Sequence, residues 1–186
     1  YNYLGFGGSG GNWSADKDYL YGVLNSYRYW WRATNAGGEN REVTIRSYNN
    51  FHLLTKEEVS EANCMTTTEI EYYAQEGTEF INQVPQFQLP KQTKVTYKNG
   101  NQAHREEVTQ TAFDICGNPT KRITPDDVKT EWEYYPAAGS GGFGGAPREP
   151  NGFIRLMKSQ TITPPSDLFP APKQITTYAY SNLSTT

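Results

Sequence analysis

Gly7-Gly8-Ser9-Gly10-Gly11 fits the G-x-S-x-G nucleophile elbow. There a strand leads in and a helix leads out, so that the serine hydroxyl is held exposed on a strained turn. Tyr1–Phe6 could be that strand, Ser14–Leu24 that helix with Ser14 as its N-cap, and His52 or His104 the base. The neighbouring glycines loosen the turn, and no oxyanion loop or acid partner is recognisable. The segment therefore reads as a glycine-rich loop, and a serine hydrolase using Ser9 is the weakest of the functional readings. Gly5-Phe6-Gly7-Gly8-Ser9-Gly10 and Gly139-Ser140-Gly141-Gly142-Phe143-Gly144 also satisfy G-x-G-x-x-G. Neither leads into a helical pattern whose N-terminus could hold a pyrophosphate, so no dinucleotide cofactor follows.

The remaining polar groups do not assemble chemistry either. His52 and His104 stand alone in sequence, and in Asp16-Lys17-Asp18, where a calcium loop is conceivable, the lysine between the two carboxylates argues for a solvated turn. No metal and no cofactor is expected. Glu69, Glu71, Glu131 and Glu133 sit at the two-residue spacing that could seat a glycosidase pair, but the wet side of a strand produces the same pattern. Cys64 and Cys116 lack metal or redox spacing and read as two thiols in β structure. Asn12-Trp13-Ser14 and Asn182-Leu183-Ser184 match the glycosylation triplet. Trp13, Tyr29, Trp30 and Trp31, with Tyr27, could stack on sugar rings as in a carbohydrate-binding β-sandwich; the same rings serve equally as inter-strand packing, which is the favoured reading.

The elements that must position these residues are strands. Aromatics make up 14% of the 186 residues, which favours pleated surfaces. Cys64, Thr66, Thr68, Ile70 and Tyr72 alternate with Thr67, Glu69 and Glu71, and Thr130, Trp132 and Tyr134 alternate with Lys129, Glu131 and Glu133. This is the period of half-buried strands. Further strands are expected at 41–48, 91–98, 105–115, 153–163 and 173–180. Asn99-Gly100 predicts a type I′ hairpin with two residues at positive φ. Gly5–Gly11 and Gly139–Gly145 read as loops, and Pro164–Pro172 as an extended connector. The fold class is all-β, made of antiparallel hairpin repeats in a curved sheet or part of a hollow shell.

Net charge of −3 with scattered Lys and Arg gives no footprint for nucleic acid. No apolar run approaches the roughly 18 to 20 residues that span a bilayer. The start at Tyr1 without methionine and the stop after a strand-like segment suggest a fragment of a longer chain.

The sequence also repeats. Tyr48 opens a block that closes on Tyr72-Tyr73, and Phe113 opens one that closes on Tyr134-Tyr135, with offsets of 65 at the start and 62 at the end (113−48; 134−72). Weaker echoes are Thr96–Gly100 and Tyr178-Ala179-Tyr180. The stretch from Glu107 through Phe113-Asp114-Ile115-Cys116-Gly117-Asn118 and Pro125-Asp126 to Trp132-Glu133-Tyr134-Tyr135 resembles the RHS or YD repeat. In that pattern an aromatic-Asp-x-x-Gly-Asn turn precedes a Pro-Asp-Gly-like turn and a strand ending in tyrosines. The resemblance makes Phe113, Asp114, Gly117, Asn118, Pro125, Asp126, Trp132, Tyr134 and Tyr135 structural turn and strand-closing residues. It places Asp114 as an acceptor of turn N–H groups and Gly117 at positive φ. Asp127 stands where the family offers glycine, which predicts another turn type, and Tyr48-Asn49-Asn50 lacks the matching Asp and Gly. The family's aspartate self-cleavage site has no counterpart.

On this resemblance the chain is a single β-rich segment, 1–186. Residues 1–40 form a less defined N-terminal part, 41–135 two hairpin blocks, and 136–186 Gly/Pro-rich loops and closing strands. The resemblance implies a non-enzymatic shell segment of a secreted bacterial protein. Its partners would be the rest of that protein or complex and a polypeptide cargo, with carbohydrate as the alternative ligand.

Overall fold

The computed structural model describes residues 28–35, 42–100, 102–141, 145–165 and 171–182, with Ala103 and His104 as backbone only. Ser9, Trp13, Tyr27, the 14–24 segment, Asp16, Asp18, the Asn12 triplet, most of the Asn182 triplet and Gly142–Gly144 lie outside the described residues or their side chains, as does the His104 imidazole. The elements are β1 (Arg28–Asn35), β2 (Glu42–Asn49), β3 (Leu54–Glu61), β4 (Cys64–Tyr72), a 3-10 turn (Phe80–Asn82), β5 (Pro90–Asn99), β6 (Gln102–Phe113), β7 (Pro119–Ile123), β8 (Lys129–Tyr134), β9 (Met157–Thr163) and β10 (Gln174–Thr177). The chain is all-β, one ten-stranded antiparallel sheet that is not closed, with its strands neighbours in chain order. No α-helix occurs among the described residues, and none is long and apolar enough to cross a membrane.

Two compact units divide the chain, 1–108 and 109–186, with the boundary inside β6. In the first unit, register sorts the side chains onto two faces. One carries Trp31 opposite Arg46, then Glu57, Thr68 and Val95 in successive strands, with Thr44, Val59, Thr66 and Tyr97 in the adjoining row. The other carries Ser47, Lys56, Glu69 and Lys94 in one row. Charges alternate in sign across that row, and Lys94 continues it to Glu106 at 2.8 Å. Opposite charges on directly paired residues stabilise a sheet, each pair by roughly 0.2–1 kcal/mol. The Lys94 ammonium is raised by its bond to Glu106, and the Glu106 carboxyl lowered by the same bond.

The second unit repeats the division. Lys121, Glu131 and Thr161 stand in one row of the wet face, with Lys129 to Glu131 at 3.0 Å and Lys158 to Glu133 at 3.1 Å. Arg122, Thr130 and Ile162 share the opposite face with Trp132 and Tyr134. Among the described residues most strand side chains are half-buried, all four of β10 are exposed, and no large side chain is fully buried. The buried apolar residues are Phe87 in the first unit and Tyr135 and Ala146 in the second. They lie in the long connections beyond β4 and β8 and not under the strands.

Register corrects two expectations. Asn99 ends β5 paired to Cys64, so the β5–β6 loop is centred one residue later, on Gly100 at φ +62; Asn101 lies outside the described residues. Asn99 is held in the ladder and does not take positive φ, so no type I′ turn forms on Asn99-Gly100. Strand β1 was not among the strand segments expected from the sequence, whereas β3 with β4 and β7 with β8 are the two strands that each hairpin block was expected to hold after its opening turn.

Candidate functional site

Two turns share one hydrogen-bond plan, and two more keep parts of it. At Asn49, the backbone N–H donates to Leu53 O at 3.1 Å and His52 N–H returns to Asn49 O at 3.1 Å. The Asn49 side-chain oxygen accepts from the N–H groups of Phe51 and Leu53, both at 3.0 Å. His52 sits at φ +58. At Asp114, the N–H donates to Asn118 O at 2.9 Å, Gly117 N–H donates to Asp114 O at 3.1 Å, and Oδ1 accepts from Cys116 and Asn118 N–H at 2.9 Å. Gly117 stands at φ +84. Both are three-residue hairpin loops, a type I turn closed by a left-handed residue. A short polar side chain at the first position satisfies two loop N–H groups that no strand partner reaches.

Thr124 to Val128 is the third. Thr124 N–H donates to Val128 O at 3.1 Å, Asp127 N–H to Thr124 O at 2.9 Å, and Asp127 takes φ +58. The Thr124 hydroxyl is tied to Asp126 and donates to Val128 O at 3.1 Å. Its own bond lowers the Asp126 carboxyl. Pro125 and Asp126 fill the first two loop positions, and Asp127 occupies the glycine position without a change of turn type, because a short carboxyl side chain tolerates the left-handed region. The departure expected at Tyr48-Asn49-Asn50 is likewise a departure of residue type only: Asn49 replaces Asp114 and His52 replaces Gly117.

The fourth turn was not anticipated. Gly152 at φ +78 donates its N–H to Glu149 O at 3.2 Å, and Glu149 Oε2 accepts from Asn151 N–H at 2.7 Å and Phe153 N–H at 3.0 Å. Glu149 is 4% exposed and pairs with Arg155 at 2.6 Å. The Phe153 N–H, with those of Asn151 and Gly152 and the Arg155 charge, holds this carboxyl below its ordinary range against burial. Glu149-Pro150-Asn151-Gly152 carries the residue types of such a turn, so the signal was present.

The tyrosines close the blocks in matching ways. Tyr72 OH donates to Leu54 O, and Tyr134 OH to Pro119 O, both at 3.0 Å. Each follows a register shift, between Glu71 and Tyr72 and between Glu133 and Tyr134. Burial raises both phenols, and for Tyr134 the Asp114 charge adds to it. Tyr73 N–H then donates to Leu89 O, and Tyr135 N–H to Leu156 O, so both long connections start and end as a closed neck. In the first unit the connection meets the hairpin turn through Phe51 and Phe87, rings 5.5 Å apart; in the second, Asn118 donates to Ile154 O at 2.6 Å. Tyr135 also donates to Tyr178 O at 2.9 Å. The neck of the second connection is tight: a Cβ on Gly139, at φ +78, would stand 2.7 Å from Ala146 O.

The aromatic platform divides. Tyr29 and Trp31 share one face of β1, and Trp30 points to the other. Tyr29 stacks on Tyr48 at 4.9 Å and its hydroxyl meets His52 Nδ1 at 2.9 Å; Trp31 donates to Tyr48 OH at 3.0 Å and lies under the Arg46 guanidinium, itself paired to Glu57. These rings spend their contact area within the sheet. A cleft of 290 Å³ in the first unit is lined by Arg28, Asn49, Phe51, Ile70, Tyr72 and Glu76, with Arg28 and Glu76 ion-paired. No group of three His, Cys, Asp or Glu is placed to hold a metal among the described residues, and Cys64 and Cys116 are both exposed free thiols.

The arrangement therefore offers hydrogen-bonded turns and paired strand faces, with no nucleophile, base and acid gathered together among the described residues. No protein-family model matches the chain, and neither the curated proteins nor the solved structures contain a match to it.

Proposed function

We propose that the chain is an architectural, non-enzymatic segment of a secreted bacterial protein of the RHS-repeat kind, and that it forms or braces a wall around a polypeptide cargo. The observation that carries this reading is the recurrence of one turn-and-tyrosine unit at an offset of 65 residues, Asn49 with Asp114 and Leu54 with Pro119. A sheet built by repeating that unit grows sideways, strand by strand in chain order, and leaves two faces of different chemistry. The charged face suits water and the aromatic-threonine face suits packing, which is what a one-sheet wall between solvent and an enclosed chain requires.

Electron cryomicroscopy of the intact parent protein tests it. The expected result is residues 28–177 lying in a continuous β wall with polypeptide density behind one face. Both faces open to bulk solvent, with nothing enclosed, would overturn it. Engagement of Tyr29 and Trp31 by Tyr48 and Arg46 speaks against the sugar-platform alternative, which a glycan array tests independently.

A further inference from the structure

We infer that the cleft of the first unit is a binding site for a single aromatic ring system that carries a hydrogen-bond donor, an indole or a phenol. It lies where the turn at Asn49–Leu53 and the end of β4 meet the start of the long connection, with Phe51, Ile70, Tyr72 and Ala74 as its apolar lining. Its 290 Å³ falls just under the roughly 300–1,000 Å³ of sites for drug-sized ligands, so it suits one ring system and little more.

The repeat indicates what fills such a place. Tyr72 and Tyr134 correspond, each with its hydroxyl bond and the register shift before it. Two residues upstream, on the same strand faces as these tyrosines, stand Ile70 and Trp132. At one position of the unit, therefore, the second block supplies an indole and the first a much smaller aliphatic side chain. Ile70 lines the cleft, so the room left by that exchange is the room a ligand would take.

The polar lining sets what the ring must carry. Asn49, Thr55 and Tyr72 already bond main-chain groups, and Glu71 and Glu76 are paired with Lys91 and Arg28. Charges paired in this way leave no net field to draw in an ion, so the ligand is neutral. The Asn50 side-chain oxygen differs: it is buried and has no hydrogen-bond partner among the described residues. A buried acceptor left unpaired is costly, and a donor that arrives with a ligand removes that cost. Indole N–H and phenol O–H are donors built onto apolar rings. Arg28, anchored by Glu76, lines the same cleft, where a guanidinium can lie on the face of a bound ring. The site goes beyond the shell reading and stands without it. The ring can belong to a tryptophan or tyrosine of a polypeptide, or to a free small molecule.

Amide NMR of the isotope-labelled full chain, titrated with indole, tests the inference. Shifts should appear at Asn50, Phe51, Ile70 and Ala74 and saturate with a Kd on the order of a millimolar. N-methylindole, which lacks the donor, should bind about tenfold more weakly, and Asn50→Ala should erase that difference. Ile70→Trp gives the first block the residue of the second and should abolish binding. Asn50→Ala carries the test if that variant fails to fold. N-acetyltryptophanamide separates the sources: binding as tight as that of indole, or tighter, assigns the ring to a polypeptide side chain, and weaker binding assigns it to a free small molecule. No shift at these amides, a folded Ile70→Trp variant that binds like the parent, or equal affinity of the parent for indole and N-methylindole would each overturn the inference.

Discussion

The turns at Asn49–Leu53 and Asp114–Asn118 reach the same hydrogen-bond plan with different residues at every position. In the first unit an amide oxygen captures the loop N–H groups and a histidine takes the left-handed conformation; in the second a carboxylate and a glycine do so. The lesson is that the fold asks for two properties, a short acceptor at the first position and tolerance of positive φ at the fourth, and several residue types meet each one. The two turns are not equal in energy. A carboxylate accepts charge-assisted bonds that are about twice as strong as those of an amide. Histidine at φ +58 is strained where glycine at φ +84 is not.

The largest effect should come from removing that freedom. Gly117→Val puts a β-branched residue at φ +84 and is expected to cost about 1–3 kcal/mol. Gly141→Val, in the other glycine-rich region, has no atom within 4 Å of its new Cβ and should stay within about 0.5 kcal/mol. Thermal or urea melts of the two variants compare them, and equal midpoints would break the claim that the Asp114 turn is ordered by its glycine.

Loss of the acceptor comes next. Asp114→Ala strands the N–H groups of Cys116 and Asn118 and removes the side-chain bond from Asn118, at an expected cost of about 1–3 kcal/mol. Asn49→Ala removes neutral bonds and should cost about half as much. If the two costs come out reversed in paired denaturant titrations, charge is not what separates the turns.

Acid sharpens the contrast between an amide turn and a carboxylate turn. The Glu149 carboxyl is depressed from its ordinary 4.5, so its contribution is fully present above that value and is lost as pH falls through the lower, folded value. Asn49 cannot titrate. Hydrogen-exchange protection of the Asn151 and Phe153 amides should therefore fall as pH is lowered below about 4.5, while that of Phe51 and Leu53 holds until the chain unfolds. Loss of protection at all four amides together would remove the distinction.

Much of this fold was legible. Alternation at Cys64–Tyr72 and Lys129–Tyr134 marks both strands and sorts their side chains onto two faces, because strand side chains have period two. Leu54–Glu61 was legible only as one of the two strands the block needed: Lys56, Glu57 and Glu58 give it polar residues on both faces, with Glu57 paired to Arg46 of β2 and Lys56 to Glu58 along the strand, so no alternation marks its bounds. Arg28–Asn35 was read as inter-strand packing rings without a strand of their own, because its aromatic run hides the alternation that sends Trp30 away from Tyr29 and Trp31. Asn99-Gly100 misled by one residue because strand register was set by the pairing of Asn99 with Cys64 and not by the dipeptide. Residue identity at the turns was over-read, since Asn49 and Asp127 do the work expected only of Asp and Gly.

The smallest expected effect tests that last point from the opposite side. Asp127 holds φ +58 in a turn otherwise like that of Gly117, so Asp127→Gly should relieve its backbone strain without disturbing the Thr124 bonds to Val128. A left-handed conformation costs most L-residues roughly 1–2 kcal/mol, somewhat less for aspartate. Glycine adds freedom to the unfolded chain, which returns about 0.4–1 kcal/mol of that gain. The net is a stabilisation of about 0.5 kcal/mol or less, visible as a small rise in the melting midpoint. A clear fall would mean that the Asp127 side chain contributes more than its conformation costs, and the two turns would then differ in what holds their fourth residue in place.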